Sequence, residues 1–133
     1  MKKLLSRIFA GMLALGLAAA PALAKDFDPT GRWQSDTGES RYDVSLCGDG
    51  RELCAKAVWL RADAATPENN KYLGTYLLNR ARHTGANEWR GTVNYLGHSF
   101  GGKIILTNSR TIALEGCVLV FCKTFHLIKI AAK

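Results

Sequence analysis

From residue 31 onward, apolar and polar side chains alternate with a period of two, in short runs separated by Gly, Asn and Asp turn residues. That pattern admits few folds. Tyr42, Val44 and Leu46 fall on one face of a run whose other face is Arg41, Asp43 and Ser45, and Ala55, Ala57 and Trp59 alternate with Cys54, Lys56 and Val58. Further runs at 31–34, 72–79, 89–96, 103–107, 112–117 and 122–130 bring the expectation to about eight strands. Helix is scarce and no internal repeat is visible. The expected fold is all-β, a small antiparallel up-and-down barrel, with a sandwich as the other architecture of this pattern.

The first residues follow a different logic. Lys2, Lys3 and Arg7 precede an apolar run at 8–20, and Pro21-Ala22-Leu23-Ala24 ends in the small-x-small pattern that signal peptidase cuts. Residues 1–24 are therefore read as a cleaved secretory signal peptide and 25–133 as a single β-barrel domain. An uncleaved N-terminal anchor is the alternative. The run is shorter than the about 20 residues of a membrane span, and Lys25 stands where a lipoprotein needs cysteine, so no membrane anchor is expected after cleavage. The periplasm is the expected location, with full secretion as its alternative. Three of the 18 Lys and Arg lie in residues 1–24, leaving 15 against 11 Asp and Glu, an excess of four. Arg80, Arg82, His83 and Arg90 bunch without the dense basic stripe or stacking aromatics of a nucleic-acid site, so they read as solvated surface and no nucleic-acid partner is expected.

All four cysteines lie beyond the leader, as Cys47-x6-Cys54 and Cys117-x4-Cys122. An even number in an exported chain reads as disulfides. Three connectivities exist; each pair flanks an expected hairpin turn, which favours 47 with 54 and 117 with 122. A four-cysteine zinc site is the rival reading, with a first spacing too long for a zinc knuckle.

Gly97-His98-Ser99-Phe100-Gly101 matches the G-x-S-x-G nucleophile elbow, with Glu115 and His126 following in the acid-then-histidine order of α/β-hydrolases. The elbow needs a helix behind the serine, and residues 102–107 have no helical period, so a serine hydrolase is set aside and no catalytic residue is assigned. His83, His98 and His126 have no metal-ligand spacing, and His126 reads as a structural histidine. No metal and no cofactor are expected.

Two apolar features remain. Trp33, Trp59, Tyr76, Trp89 and Tyr95 either fill the barrel or line a ligand cavity; an eight-stranded interior allows both. Val118-Leu119-Val120-Phe121 stands at a hairpin tip where polar residues are usual. It is expected to fold back and plug the barrel end, the alternative being an exposed contact patch for a protein partner or homodimer. Residues 61–71, polar and without large apolar side chains, make a loop that would close over one end.

Taken in order, Gly31-x-Trp33, Cys47, Leu53-Cys54, Leu73-Gly74-x3-Leu78, Trp89-x-Gly91, Gly102-Lys103-x2-Leu106, Leu114-x-Gly116-Cys117-Val118-Leu119 and Phe121-Cys122-Lys123-Thr124 resemble the domain of unknown function 2147 family of exported bacterial proteins. The resemblance implies a periplasmic protein with a lipocalin-like or fatty-acid-binding-protein-like barrel and no agreed activity. By the same likeness, Gly31 and Trp33 are structural, with Lys123 or Lys129 packing its ammonium on Trp33. The function expected is a non-enzymatic periplasmic binding protein that holds a hydrophobic or amphipathic small molecule. Trp59, Tyr76, Trp89 and Tyr95 are its expected cavity walls. A filled barrel acting as an interaction or inhibitor domain through its loops and the 118–121 tip is the alternative.

Overall fold

A computed structural model describes residues 25–132 together with Gly16; the expectation of a signal peptide concerns residues outside that span, Gly16 apart. Eight strands follow one another: β1 (Gly31–Ser35), β2 (Ser40–Cys47), β3 (Glu52–Leu60), β4 (Tyr76–Gly85), β5 (Glu88–Tyr95), β6 (His98–Asn108), β7 (Thr111–Val118) and β8 (Phe121–Ile130). A one-turn helix, α1 (Pro67–Asn70), lies between β3 and β4. Each strand pairs antiparallel with the next, and β1 pairs antiparallel with β8, closing the barrel. Closure removes both sheet edges, so each strand has a neighbour on either side.

An up-and-down barrel has two ends, and these differ. At one end lie the β2–β3, β4–β5 and β6–β7 turns and the entry to β1. The inward positions near it carry large side chains: Trp33, Leu53, Ile104, Leu106 and Ile112 are at most 1% exposed, and Trp89 is buried beside them. The segment before β1 crosses this end. Phe27 packs on the core, its N–H donates to Asn87 Oδ1 (2.8 Å), Asn87 Nδ2 donates to the Lys25 carbonyl (2.7 Å), and Trp33 Nε1 donates to the Pro29 carbonyl (2.9 Å). This end is closed.

Gly31 explains the Gly-x-Trp pattern physically. Its φ of 132° is unfavourable for any other residue, and a side chain there would press on the Lys129 stem, 3.0 Å from the position a Cβ would occupy. With that space free, Lys129 Nζ lies 5.4 Å from the centre of the Trp33 ring and donates to the Asp28 carbonyl (3.2 Å). Lys123, the other candidate, is exposed near the opposite end of β8 and serves no such contact with Trp33.

Both cysteine pairs are disulfides with local connectivity, Cys47 to Cys54 (Cα–Cα 6.0 Å) and Cys117 to Cys122 (Cα–Cα 4.1 Å). They staple hairpins at opposite ends of the barrel, a separation that rules out a shared four-cysteine metal site. The basic cluster is solvated and partly paired: Arg80 donates to Glu52 (2.7 Å) and Arg90 faces Glu88 (3.5 Å).

Three local expectations are corrected. The strand placed at 72–79 begins at Tyr76 and runs to Gly85, because Gly74 (φ 82°) turns the chain before it, while Arg80, at φ 58°, is absorbed as an irregularity within β4. β6 begins at His98, since the β5–β6 turn needs only Leu96 and Gly97, both at positive φ. The 118–121 tip does not plug the barrel: Val118, Leu119, Val120 and Phe121 are 60%, 93%, 87% and 77% exposed.

Candidate functional site

The other end of the barrel is open beside two small inward side chains. Ser40 and Ala57 occupy inward positions where the closed end carries tryptophan and leucine, and the missing volume is a cavity of about 440 Å³. Tyr42, Ala57, Leu60 and Leu77 form its inner wall, and Tyr76, Tyr95 and Leu96 its rim. A second cavity of about 160 Å³ lies beside it, sharing Glu39, Ser40, Tyr42, Leu77 and Tyr95 and continuing to Phe125 and Leu127. Tyr95 stands between the two, stacked on Phe125 with ring centres 6.1 Å apart.

Loop 61–75 covers part of the mouth. Arg61 fixes its entry: the backbone N–H donates to the Glu39 carbonyl (2.8 Å), and the guanidinium binds Asp63 (2.6 Å) and the Thr37 carbonyl (3.1 Å). Its exit is tied to β3, with Gly74 N–H donating to the Ala57 carbonyl (2.8 Å) and Ala57 N–H to the Thr75 carbonyl (2.9 Å). Between these anchors, the Thr66 hydroxyl caps α1 by accepting from the Asn69 N–H (3.1 Å), and Ala64, Asn69, Tyr72 and Leu73 face the cavity. The expected lid is thus an anchored segment whose middle contributes to the wall.

The polar groups of the larger cavity are neutral apart from the Glu39 carboxylate. Burial pushes the Tyr42 phenol above its ordinary value, offset in part by a hydrogen bond with Ser40, and burial, then the Glu39 carboxylate, does the same for Tyr95. Both hydroxyls stay protonated at physiological pH and can donate as well as accept. Asn69 and Asn94 are already engaged, the first donating to the Ala64 carbonyl (3.0 Å), the second accepting from the Ser99 hydroxyl (2.6 Å). Apolar walls with phenols and amides at the mouth suit a molecule with an apolar body and a polar, hydrogen-bonding end.

Of the four aromatics expected at the wall, Tyr76 and Tyr95 line the cavity; Trp59 and Trp89 do not. A bulge at Val58 shifts the β2–β3 register, so that Ala57 still faces Tyr42 inside, but Trp59 faces Arg41 on the outside, its ring 4.2 Å from the guanidinium. Trp89 faces inward but near the start of β5, at the closed end, where its Nε1 donates to the Arg51 carbonyl (2.9 Å). Tyr42, Leu60 and Leu77 were not expected at the site. The signal that points to them is the small inward pair, Ser40 and Ala57, rather than any large residue.

The elbow-like sequence starts in the β5–β6 turn and continues as strand β6, with no helix behind Ser99. Ser99 binds Asn94, whereas His126 faces Asp36 (3.7 Å) beside β1, so serine and histidine are held by different partners. Glu115, Cys117 and Cys122 cluster closely enough for a metal, but the two sulfurs are bonded to each other and are not thiolates.

A family model described as "Uncharacterized protein conserved in bacteria (DUF2147)" matches residues 31–129. No curated protein and no solved structure matches.

Proposed function

The chain belongs to DUF2147, an uncharacterized bacterial family with no enzymatic assignment, and on that premise we propose that it is a non-enzymatic periplasmic binding protein holding an amphipathic small molecule in the open half of its barrel. One observation carries the reading: the about 440 Å³ left empty by Ser40 and Ala57 in a barrel whose other half is filled. That volume lies in the range of small-molecule sites, about 300–1,000 Å³. Two disulfides support an oxidising compartment. The exposed 118–121 tip favours a second reading, an interaction or inhibitor domain acting through its loops; a filled barrel would suit that role, and this one holds a cavity.

Native mass spectrometry of the protein purified gently from its bacterial envelope tests the proposal. A small-molecule mass that is lost on denaturation supports it and identifies the ligand class. A bare polypeptide that also fails to take up apolar fluorescent dyes would sink it and leave the interaction domain.

A further inference from the structure

Two tight turns of the open end, β5–β6 and β7–β8, differ in chemistry from those of the closed end. At the closed end the tips are Gly48-Asp49-Gly50, Ala86-Asn87 and Ser109-Arg110; at the open end Leu96-Gly97 and Leu119-Val120 stand beside two polar connections, Asp36-Thr37-Gly38-Glu39 and loop 61–75. Leu119 holds a φ of 55° and Leu96 one of 46°, a conformation that Gly or Asn adopts with least strain. Leucine is the wrong residue for the turn, and strain of this kind concentrates at functional segments. The Cys117–Cys122 disulfide stands directly behind the tip, so four exposed apolar side chains project on a stapled hairpin.

Beyond Lys123 and Thr124, further apolar side chains are exposed around the cavity. Phe125, Tyr95, Tyr76 and Leu73 are each 38% to 44% exposed, and all four line one or both of the cavities. Lysines flank this rim, Lys56 Nζ 5.7 Å from the Tyr76 ring centre and Lys71 Nζ 5.4 Å from that of Tyr72. Tyrosines with an apolar body and a wet hydroxyl, beside lysines whose stems lie along apolar surface, form the chemistry of a membrane–water interface.

We propose that the open end of the barrel docks on a lipid bilayer, the β7–β8 tip entering the apolar layer, so that the cavity exchanges its amphipathic ligand directly with the membrane. This deepens the binding-protein reading and rests on it for what is exchanged, while the docking face rests on the rim and tip. The area argues for a bilayer over a second copy. The four tip side chains supply about 60–120 Å² each and the four rim side chains beside them are more than half buried already, short of the about 800 Å² per partner that a stable protein interface buries. A projecting knob also needs a matching hollow in a protein partner, whereas a bilayer deforms around it.

The test is flotation of the protein with vesicles of phosphatidylethanolamine and phosphatidylglycerol. The wild type is compared with a variant carrying Leu119→Asp and Val120→Asp, the two sharing the same N-terminus by mass. The wild type is expected to float, and the variant's partition coefficient to fall about tenfold or more, with its thermal melting and its uptake of an apolar dye unchanged. In the vesicle-bound state a Phe121→Trp variant shows a blue-shifted emission. Equal partitioning of wild type and variant, or no flotation of the wild type, overturns the proposal. So does a concentration-dependent wild-type dimer that the variant lacks, which assigns the tip to a second copy. Tip-dependent flotation without dye uptake supports docking while removing the cavity reading.

Discussion

Asn87 does two jobs at one position: it turns the β4–β5 hairpin with φ at 57°, and its amide holds the segment before β1 across the closed end. Asn87→Gly keeps the turn and loses both side-chain hydrogen bonds, and is expected to lower unfolding free energy by about 1–2 kcal/mol in urea titration. Asn87→Ala also loses backbone compatibility and is expected to cost about 1 kcal/mol more. Equal effects of the two would show that the conformation contributes nothing. Tyr42 gives a pH prediction. Its folded pKa is raised by burial, so its contribution to stability is complete below the unfolded value of about 10 and is lost as pH rises through the folded value. Tyrosinate absorbance should appear late for this phenol, and the melting temperature should fall on the same alkaline limb. A barrel that melts identically on both sides of that limb would contradict the assignment.

Among the elements, the β7–β8 hairpin and the β2–β3 pair decide most. Replacing Cys117 and Cys122 by serine is expected to lower stability by about 2 kcal/mol, the chain-entropy value for so short a loop, as read by urea unfolding under non-reducing conditions. A loss near zero would mean that strand pairing alone holds the tip. The same elements show what sequence could and could not disclose. Strand number, antiparallel order and both disulfide pairings follow from local alternation and from turns that bring cysteines together. The side on which Trp59 falls does not, because one extra residue at Val58 reverses the face and leaves no mark on the alternation before it. The tip misled for a related reason. Apolar residues in a turn favour the interior on solvation grounds, whereas a tight stapled turn has no length with which to fold back.

At the scale of the molecule, the cavity is a difference in side-chain volume between two ends. Large aromatics are the visible signal of a wall in the sequence, yet the void comes from the small inward residues Ser40 and Ala57, whose facing depends on the register. Ala57→Phe tests that origin: it grows into empty space, so stability should stay within about 1 kcal/mol of wild type, while any co-purifying small molecule is lost in native mass spectrometry. A bound mass retained in full would place the ligand elsewhere.

Pairing of the first strand with the last has a further consequence. Arg32 lies opposite Ile130, so the sheet cannot close until nearly the entire chain has been delivered. Until then β1 and β7 are bare edges able to template association with other chains. Contacts this distant in sequence order the polypeptide slowly. The barrel therefore depends on its C-terminal strand arriving intact: a chain cut before Phe121 forfeits more than a strand, since it leaves two adhesive edges and an uncovered core.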